Sequence, residues 1–573
     1  MNANDQPQPG GPRRALLGWI FSAAVILATA PVLVFYAGRL VDPLPLYAFD
    51  EGTYLARALH GAALAADPTL DPGVGSVTNS AYFAVLRAVA GLAGPGLPWI
   101  RAASLAAYLG GIGLTWACVR RGLSAGAAWS VLLLALLFPN WRFVLSALPE
   151  GWYVGGLGLV VFATDRLYAR RPVVHALLAG VLAAVLTLIK PQGLAMAAAL
   201  AALPLIEAML GEQRIGLAAA RLGVLLPTYF GAGWLIQTLA HQPMPGPLVF
   251  FEAPLYSGLL AGRPARDAIG LTLTTLAGLA SLMAVLAGVP ILAGLGARFS
   301  RWRARASPPT EGPERAFLLV LLSLVATLAM VAAFTFRASA YESEQGRLLG
   351  RYVEFFAPLL WLTAAPFVGL ARGWRRPVAA CAVVLAGLAG LLAVFRAGVV
   401  LFPWDSAALT AFFRSDPRRF ALAAPLPYRA LAVAATFAVG LAMLARAPMA
   451  RAWQAYVLAL ALLSTAADRL WVDAAGPGRR DLAHDLSRAQ AILAARQGPV
   501  LAITDDPNID RIVFLRFAGH PHMLLAAPGE HVLGWQAAPY ATVLAQGDHP
   551  IVGAAWRPLY RGRQISVFAA PGT

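Results

Sequence analysis

Asp50 and Glu51 stand side by side in the stretch LYAFDEGTYLARALHG, residues 46–61, directly after the first long apolar segment. A carboxylate can take the proton from an attacking hydroxyl, and a second one can orient the acceptor or hold a divalent ion. Acids also cap helices, because free N-terminal amides and the helix dipole favour negative charge. The pair therefore has a structural explanation beside the chemical one. A third acid, Glu150, opens the apolar stretch PEGWYVGGLGLVVF. Lys190, in TLIKPQG, is the single lysine among the 45 basic residues. Lysine is a compact point charge suited to phosphate, whereas arginine offers a planar fork. A lysine at a helix end can equally snorkel towards water. Arg347 and Arg351, in GRLLGRYVEFF, are four apart, a spacing that shares one helix face and would clamp one anion between them. Glu354 is placed to neutralise either of them.

The elements that carry these groups are apolar. Of the 573 residues, 59% are hydrophobic and 13% charged, against about 25% charged in a soluble domain. Mean hydropathy is +0.65. The net charge of +17 does not mark a nucleic-acid binder, because the arginines fall in short segments between apolar runs, as orientation in a membrane requires. Runs of spanning length recur at about 15–37, 99–119, 122–138, 149–165, 172–189, 192–209, 218–239, 267–296, 315–336, 354–371, 376–396, 427–445 and 450–471. Placing the N-terminus in the cytoplasm puts Arg120 and Arg121, Arg166, Arg170 and Arg171, Arg214 and Arg221, Arg298 to Arg305, Arg372 to Arg376, and Arg446 and Arg451 on the inner side. The longer loops, with the acidic pair, Glu150, Lys190 and Arg351, are then exported, and an odd number of spans exports the C-terminus. Arg13 and Arg14 followed by an apolar run resemble a signal peptide. The run continues past Pro31, however, and is long enough to stay as an uncleaved first helix.

Span centres are almost free of ionisable residues; His175, Glu207 and Arg396 lie near predicted ends. A proton-coupled pump would carry such groups inside. Cys118 and Cys381 form neither a disulfide framework nor metal-ligand spacing. After Asp50 and Glu51, the stretches TYLARALHGAALAAD and SAYFAVLRAVAGLAG predict short juxtamembrane helices. The proline-rich residues 241–264 predict an interfacial loop of the kind that closes over a ligand. From about residue 472 the composition changes. DAAGPGRRDLAHDLSRAQAILAARQG predicts a linker and an amphipathic helix; PVLAIT, HMLLAA, YATVLAQ and QISVFAA predict short strands. The expected organisation is a membrane domain over 1–472 and a small α/β domain over 473–573.

In these residues the chain resembles the glycosyltransferase C superfamily of polyprenyl-phosphate-sugar-dependent enzymes, which includes lipid A aminoarabinose transferases and protein O-mannosyltransferases. Asp50, Glu51, Tyr54 and Ala58 match its DExxYxxxA pattern. Arg101 in PWIRAASLAAYLGG, Glu150, Lys190 in LIKPQG, and Arg351 with Tyr352 in GRYVEFFAPLL match later segments. The departures are VTNSAYF, where many members carry a segment like HPPLYY, and Glu150, where the second acid is often aspartate.

The resemblance implies an all-α polytopic membrane protein of about thirteen spans with juxtamembrane helices and the small exported α/β domain. It implies transfer of a sugar from a polyprenyl-phosphate donor to an acceptor hydroxyl on the periplasmic face of a bacterial inner membrane. The acceptor would be a lipid, a glycan or a protein. Phosphate leaves as an anion and needs no proton from an acid, so one carboxylate suffices as base, unlike the two flanking carboxyls of a glycosidase. Asp50 is the expected base. Glu51 or Glu150 would orient the acceptor or hold a divalent cation. Lys190, Arg347, Arg351, Tyr352 and Arg101 would receive the phosphate. The alternative is a transporter or flippase of a lipid-linked saccharide, which would also need exported cations.

Overall fold

A computed structural model describes residues 27, 29–42, 44–45, 51–52, 54–59, 79–94, 96–240, 264–303, 312–340, 346–368, 375–399, 401–402, 405–412, 426–444, 449–496, 500–503, 512–513, 517, 524–526, 542–546 and 556–570. Asp50 and the loop over 241–263 lie outside these residues.

The helices are α1 (Thr29–Val41), α2 (Ser80–Ala93), α3 (Leu97–Val119), α4 (Ala125–Leu137), α5 (Glu150–Leu167), α6 (Pro172–Ile189), α7 (Gly193–Met209), α8 (Ile215–Leu239), α9 (Ala268–Arg303), α10 (Gly312–Ala338), α11 (Phe356–Val368), α12 (Arg375–Arg396), α13 (Leu426–Leu444) and α14 (Met449–Ala494). Hydrocarbon offers no partner to a peptide group, so an apolar segment must bond internally, as a helix does. Within the described residues, every apolar run found in the sequence overlaps one of these helices, the first of them only over 29–37, and α2 is the expected second juxtamembrane helix. By length and composition α3, α6, α8, α9, α10 and α12 can each cross a membrane; α1, α2, α4, α7 and most of α11 and α13 are shorter apolar helices. Large apolar side chains such as Leu177, Trp234, Leu235, Leu273 and Phe437 face outward. Acyl chains solvate such a surface, whereas water would not.

The contact between α3 and α5 is the most extensive between described helices. It is a seam of small residues. A Cβ on Gly158 would lie 2.2 Å from the carbonyl oxygen of Gly111, and one on Gly111 would lie 2.4 Å from that of Val154. Two apolar helices gain nothing from the hydrophobic effect inside lipid, so close backbone approach through small residues is what joins them. The seam fixes the relative placement of Arg101, on α3, and Glu150, at the start of α5.

Near the C-terminus five strands form one sheet in the order β2-β1-β3-β5-β4: β1 (Val500–Ile503), β2 (Leu524–Ala526), β3 (Thr542–Gln546), β4 (Arg557–Tyr560) and β5 (Ile565–Ala569). Strand β1 pairs in parallel with β2 and β3, and β5 runs antiparallel to β3 and β4. The four strands expected from apolar runs are present. The fifth, β4, was not expected. Its sequence RPLY places a proline and exposed residues on an edge strand, where proline is tolerated and the apolar signal is weak. The expected linker is corrected as well. Helix α14 spans 46 residues and continues through Gly476, Pro477 and Gly478. At about 1.5 Å per residue it is roughly 69 Å long, so one element serves both bundle and sheet. Its later turns supply Leu482, Leu486, Ala489 and Leu493 to the core of the sheet.

Candidate active site

Lys190 owes its position to its neighbours. Proline disfavours helix in the residue before it, and Lys190, followed by Pro191, is extended at φ −153°, ψ 131° as it caps α6. Gly193 then lets the chain fold back to start α7. A Cβ there would sit 2.2 Å from the amide nitrogen of Thr187. The lysine is thereby held at the C-terminal end of α6, where the helix dipole favours a cation, and Glu150 sits in the first turn of α5, where it favours an anion. The two meet: Lys190 Nζ donates to Glu150 Oε1 at 2.6 Å, with both side chains buried.

The aromatic residues after Arg351 complete the surroundings. Lys190 Nζ lies 5.1 Å from the ring centre of Tyr352 and 5.5 Å from that of Phe355. The Arg351 guanidinium stands 5.3 Å from the same Tyr352 ring, so one tyrosine face system serves two cations. Tyr153 packs edge-on against Phe355 and donates its hydroxyl to the Gln192 carbonyl at 2.9 Å.

Helix α2 closes another side. Asn79 donates from Nδ2 to the Ile189 carbonyl at 2.7 Å. Tyr82, fully buried, packs edge-on against Tyr54 and lies within electrostatic reach of both Glu51 and Glu150. Asn79 and Tyr82 belong to VTNSAYF, the stretch that departs from the family pattern. In the sequence that departure marks the position of the stretch without naming Asn79 and Tyr82 as site residues.

Glu51 is buried and accepts the amide of Ala147 at 2.8 Å. Arg101 lies 3.9 Å from it. Arg101 does not present its fork to the site as expected for a phosphate ligand. Its Nη1 donates to the carbonyls of Arg39 and Asp42, and its Nη2 to that of Leu44. A guanidinium so occupied holds backbone. Arg479, from α14, holds the same carbonyl of Leu44 and the carboxylate of Asp42. Burial opposes charge on Asp42, but Arg479, the Leu44 amide and Arg39 together keep its carboxyl below the ordinary carboxylate range.

Arg347 and Arg351 do not share a helix face. Residues 346–349 are not helical, Gly346 has φ +64°, and only Gly350–Tyr352 form a short 3₁₀ turn. Asp405 organises this segment instead. It takes Arg347 Nε on both carboxylate oxygens, at 2.9 and 3.0 Å, and its carbonyl accepts the Arg351 amide. Glu354, expected beside these arginines, accepts Ser406 and the amides of Ala407 and Ala408. Asp405 was missed because nothing in its local sequence pairs it with an arginine 58 positions away.

The structure thus brings together Glu51, Glu150, Lys190, Arg351 and Tyr352, engages Arg347 elsewhere, and turns Arg101 to backbone. Several buried polar atoms around the Lys190–Glu150 pair have no hydrogen-bond partner among the described residues: Glu150 Oε2, Gln192 Oε1, Tyr82 Oη and Ser104 Oγ. Each such atom costs about 1–3 kcal/mol, and their concentration at one place fits a polar ligand. Among the described residues no three His, Cys, Asp or Glu side chains converge as a metal site.

No family model and no curated protein matches the chain. Solved structures do. A crystal structure of ArnT from Cupriavidus metallidurans bound to undecaprenyl phosphate is similar over 96% of this chain and 98% of its own, with a TM-score of 0.50 and 16% identity. ArnT from the same organism in the apo state is similar over 97% and 98%, with a TM-score of 0.49 and 18% identity. The first likeness is one of architecture, carried by the whole length of both chains: this chain shares the fold of that ArnT.

Proposed function

We propose that this protein is an inverting glycosyltransferase of the bacterial inner membrane. It moves a sugar from a polyprenyl-phosphate donor to an acceptor hydroxyl on the exported face. The observation that carries the reading is the buried Lys190–Glu150 pair, bordered by Arg351 and Tyr352 and accompanied by buried polar atoms that have no hydrogen-bond partner among the described residues. The likeness in fold to an ArnT bound to undecaprenyl phosphate supports the lipid-phosphate class of donor.

In this reading the acceptor oxygen attacks the anomeric carbon while its proton passes to Asp50, the neighbour of Glu51 in the chain. The bond from that carbon to the phosphate oxygen breaks, and the lipid phosphate leaves as an anion. Attack opposite the leaving group inverts the centre. Lys190 and Arg351 receive the phosphate charge, an electrostatic role that acts where charge develops. Glu150 offsets the charge of Lys190 and holds it in place. Tyr82, Gln192 and the free oxygen of Glu150 suit the hydroxyls of a sugar. Arg101 and Glu51 hold the segment that carries the base.

Replacing Asp50 by Asn should abolish transfer while leaving expression and donor binding intact, measured with the purified protein and a radiolabelled polyprenyl-phosphate sugar. Full activity in that variant would remove Asp50 from its role. Mass spectrometry of copurifying lipids would identify the donor directly.

A further inference from the structure

The chain ahead of the acidic pair is held from two distant parts of the molecule. From the bundle, Arg101 donates to the carbonyls of Arg39 (2.9 Å), Asp42 and Leu44 (2.8 Å). From the far part of α14, Arg479 donates to the carbonyls of Pro45 (2.7 Å) and Leu44 (3.1 Å) and to Asp42 Oδ2 (3.1 Å). The Leu44 carbonyl receives both arginines, as its two lone pairs allow. Asp42 Oδ1 accepts the Leu44 amide at 3.0 Å, and Arg39 pairs with Asp42.

The side chain of Leu44 packs with Leu482, Leu486, Val567 and the rest of the sheet core, not with the core of the bundle. Downstream, Glu51 is tied to the Ala147 amide and lies beside Arg101. Only residues 46–50 separate these two anchors. A residue of extended chain reaches at most about 3.6 Å, so a shift at Pro45 is passed along a short stretch of chain to Glu51.

We propose that Arg479 and Leu44 are positioning residues, and that through them the C-terminal sheet and its helix set how the chain enters Glu51, the neighbour of the proposed base. The unit they belong to is thus a working part of the transfer site. This rests on the reading of Asp50 as the base. Arg479 touches no reacting atom; it acts through the backbone of residues 42–45.

The test uses the full-length protein in lipid nanodiscs, with Arg479→Gln, Arg479→Lys and Leu44→Ala. Two readouts are taken: amide hydrogen exchange across residues 46–59, and kcat against KM for the donor. Arg479→Gln should speed exchange in 46–59 by about tenfold while α3 and the sheet keep their protection. It should lower kcat by about tenfold or more with donor KM within about twofold, because misplacement of about 1 Å can cost on the order of a hundredfold. Arg479→Lys should recover part of both, since one ammonium can still reach a carbonyl. If Arg479→Gln fails to fold, Leu44→Ala takes the same readouts. Unchanged exchange in 46–59, or faster exchange with unchanged kcat, would overturn the proposal. A wild-type protein without transferase activity would remove the functional reading; the positioning would then stand or fall on whether exchange in 46–59 responds to Arg479→Gln.

Discussion

At the scale of single residues, the site is built from charges that would be costly alone. Lys190 and Glu150 are both buried, and their contact of 2.6 Å is what makes either tolerable. Removing one partner of such a pair typically costs about 3–5 kcal/mol, because the other is left buried and uncompensated. Glu150→Gln and Lys190→Met should therefore each lower the thermal unfolding temperature in detergent markedly. The double variant Glu150→Gln with Lys190→Met should recover much of the loss. Under the proposed function transfer should stay lost in all three, which would separate the contribution of the pair to stability from the role proposed for it in transfer. Lys190 itself was legible in the sequence as the chain's single lysine. Its partner was legible only as an acid at the head of an apolar run, since 40 positions and a full helix separate the two.

At the scale of elements, the relative placement of α3 and α5 decides where Arg101 and Glu150 stand. Their seam depends on backbone contact at Gly111 and Gly158. Gly158→Val should force the helices apart, costing about 1–3 kcal/mol by overpacking. Circular dichroism should show the helix content unchanged while unfolding temperature and transfer activity both fall. An unaltered unfolding temperature would mean that the seam has slack. The apolar runs that became helices were readable because a peptide group in lipid has no alternative to bonding within its own segment. Their glycines were readable as small residues; which helix they would face was not. The face shared by Arg347 and Arg351 was misread for a related reason. Four-residue spacing has meaning only inside a helix, and Gly346 with its φ of +64° stands where no helix forms.

At the scale of the whole molecule, buried ion pairs fasten segments far apart in the chain. Arg142, in the single helical turn Trp141–Val144, pairs with Asp468 on α14, and Tyr36 of α1 donates to the other oxygen of that carboxylate at 2.7 Å. Asp468→Asn should leave Arg142 buried without the carboxylate it pairs with and destabilise the protein by about 3 kcal/mol or more, seen as a lower unfolding temperature. Asp468 lies inside the last apolar run of the sequence, near its end, where it ties α1 and the turn Trp141–Val144 to α14. The fold class, the helices and most of the strands, the acidic pair and the single lysine follow from the sequence by itself. Each rests on a local property: hydrophobicity over a helix length, alternation over a strand, or the identity of one residue. The partners were decided only by the tertiary structure: Glu150 for Lys190, Asp405 for Arg347, Asp468 for Arg142 and Asp42 for Arg479, separated by 40, 58, 326 and 437 positions. A charge attracts any opposite charge, so its own neighbourhood in the chain cannot name the partner. Helix packing chooses it, by bringing one acid rather than another within hydrogen-bonding reach.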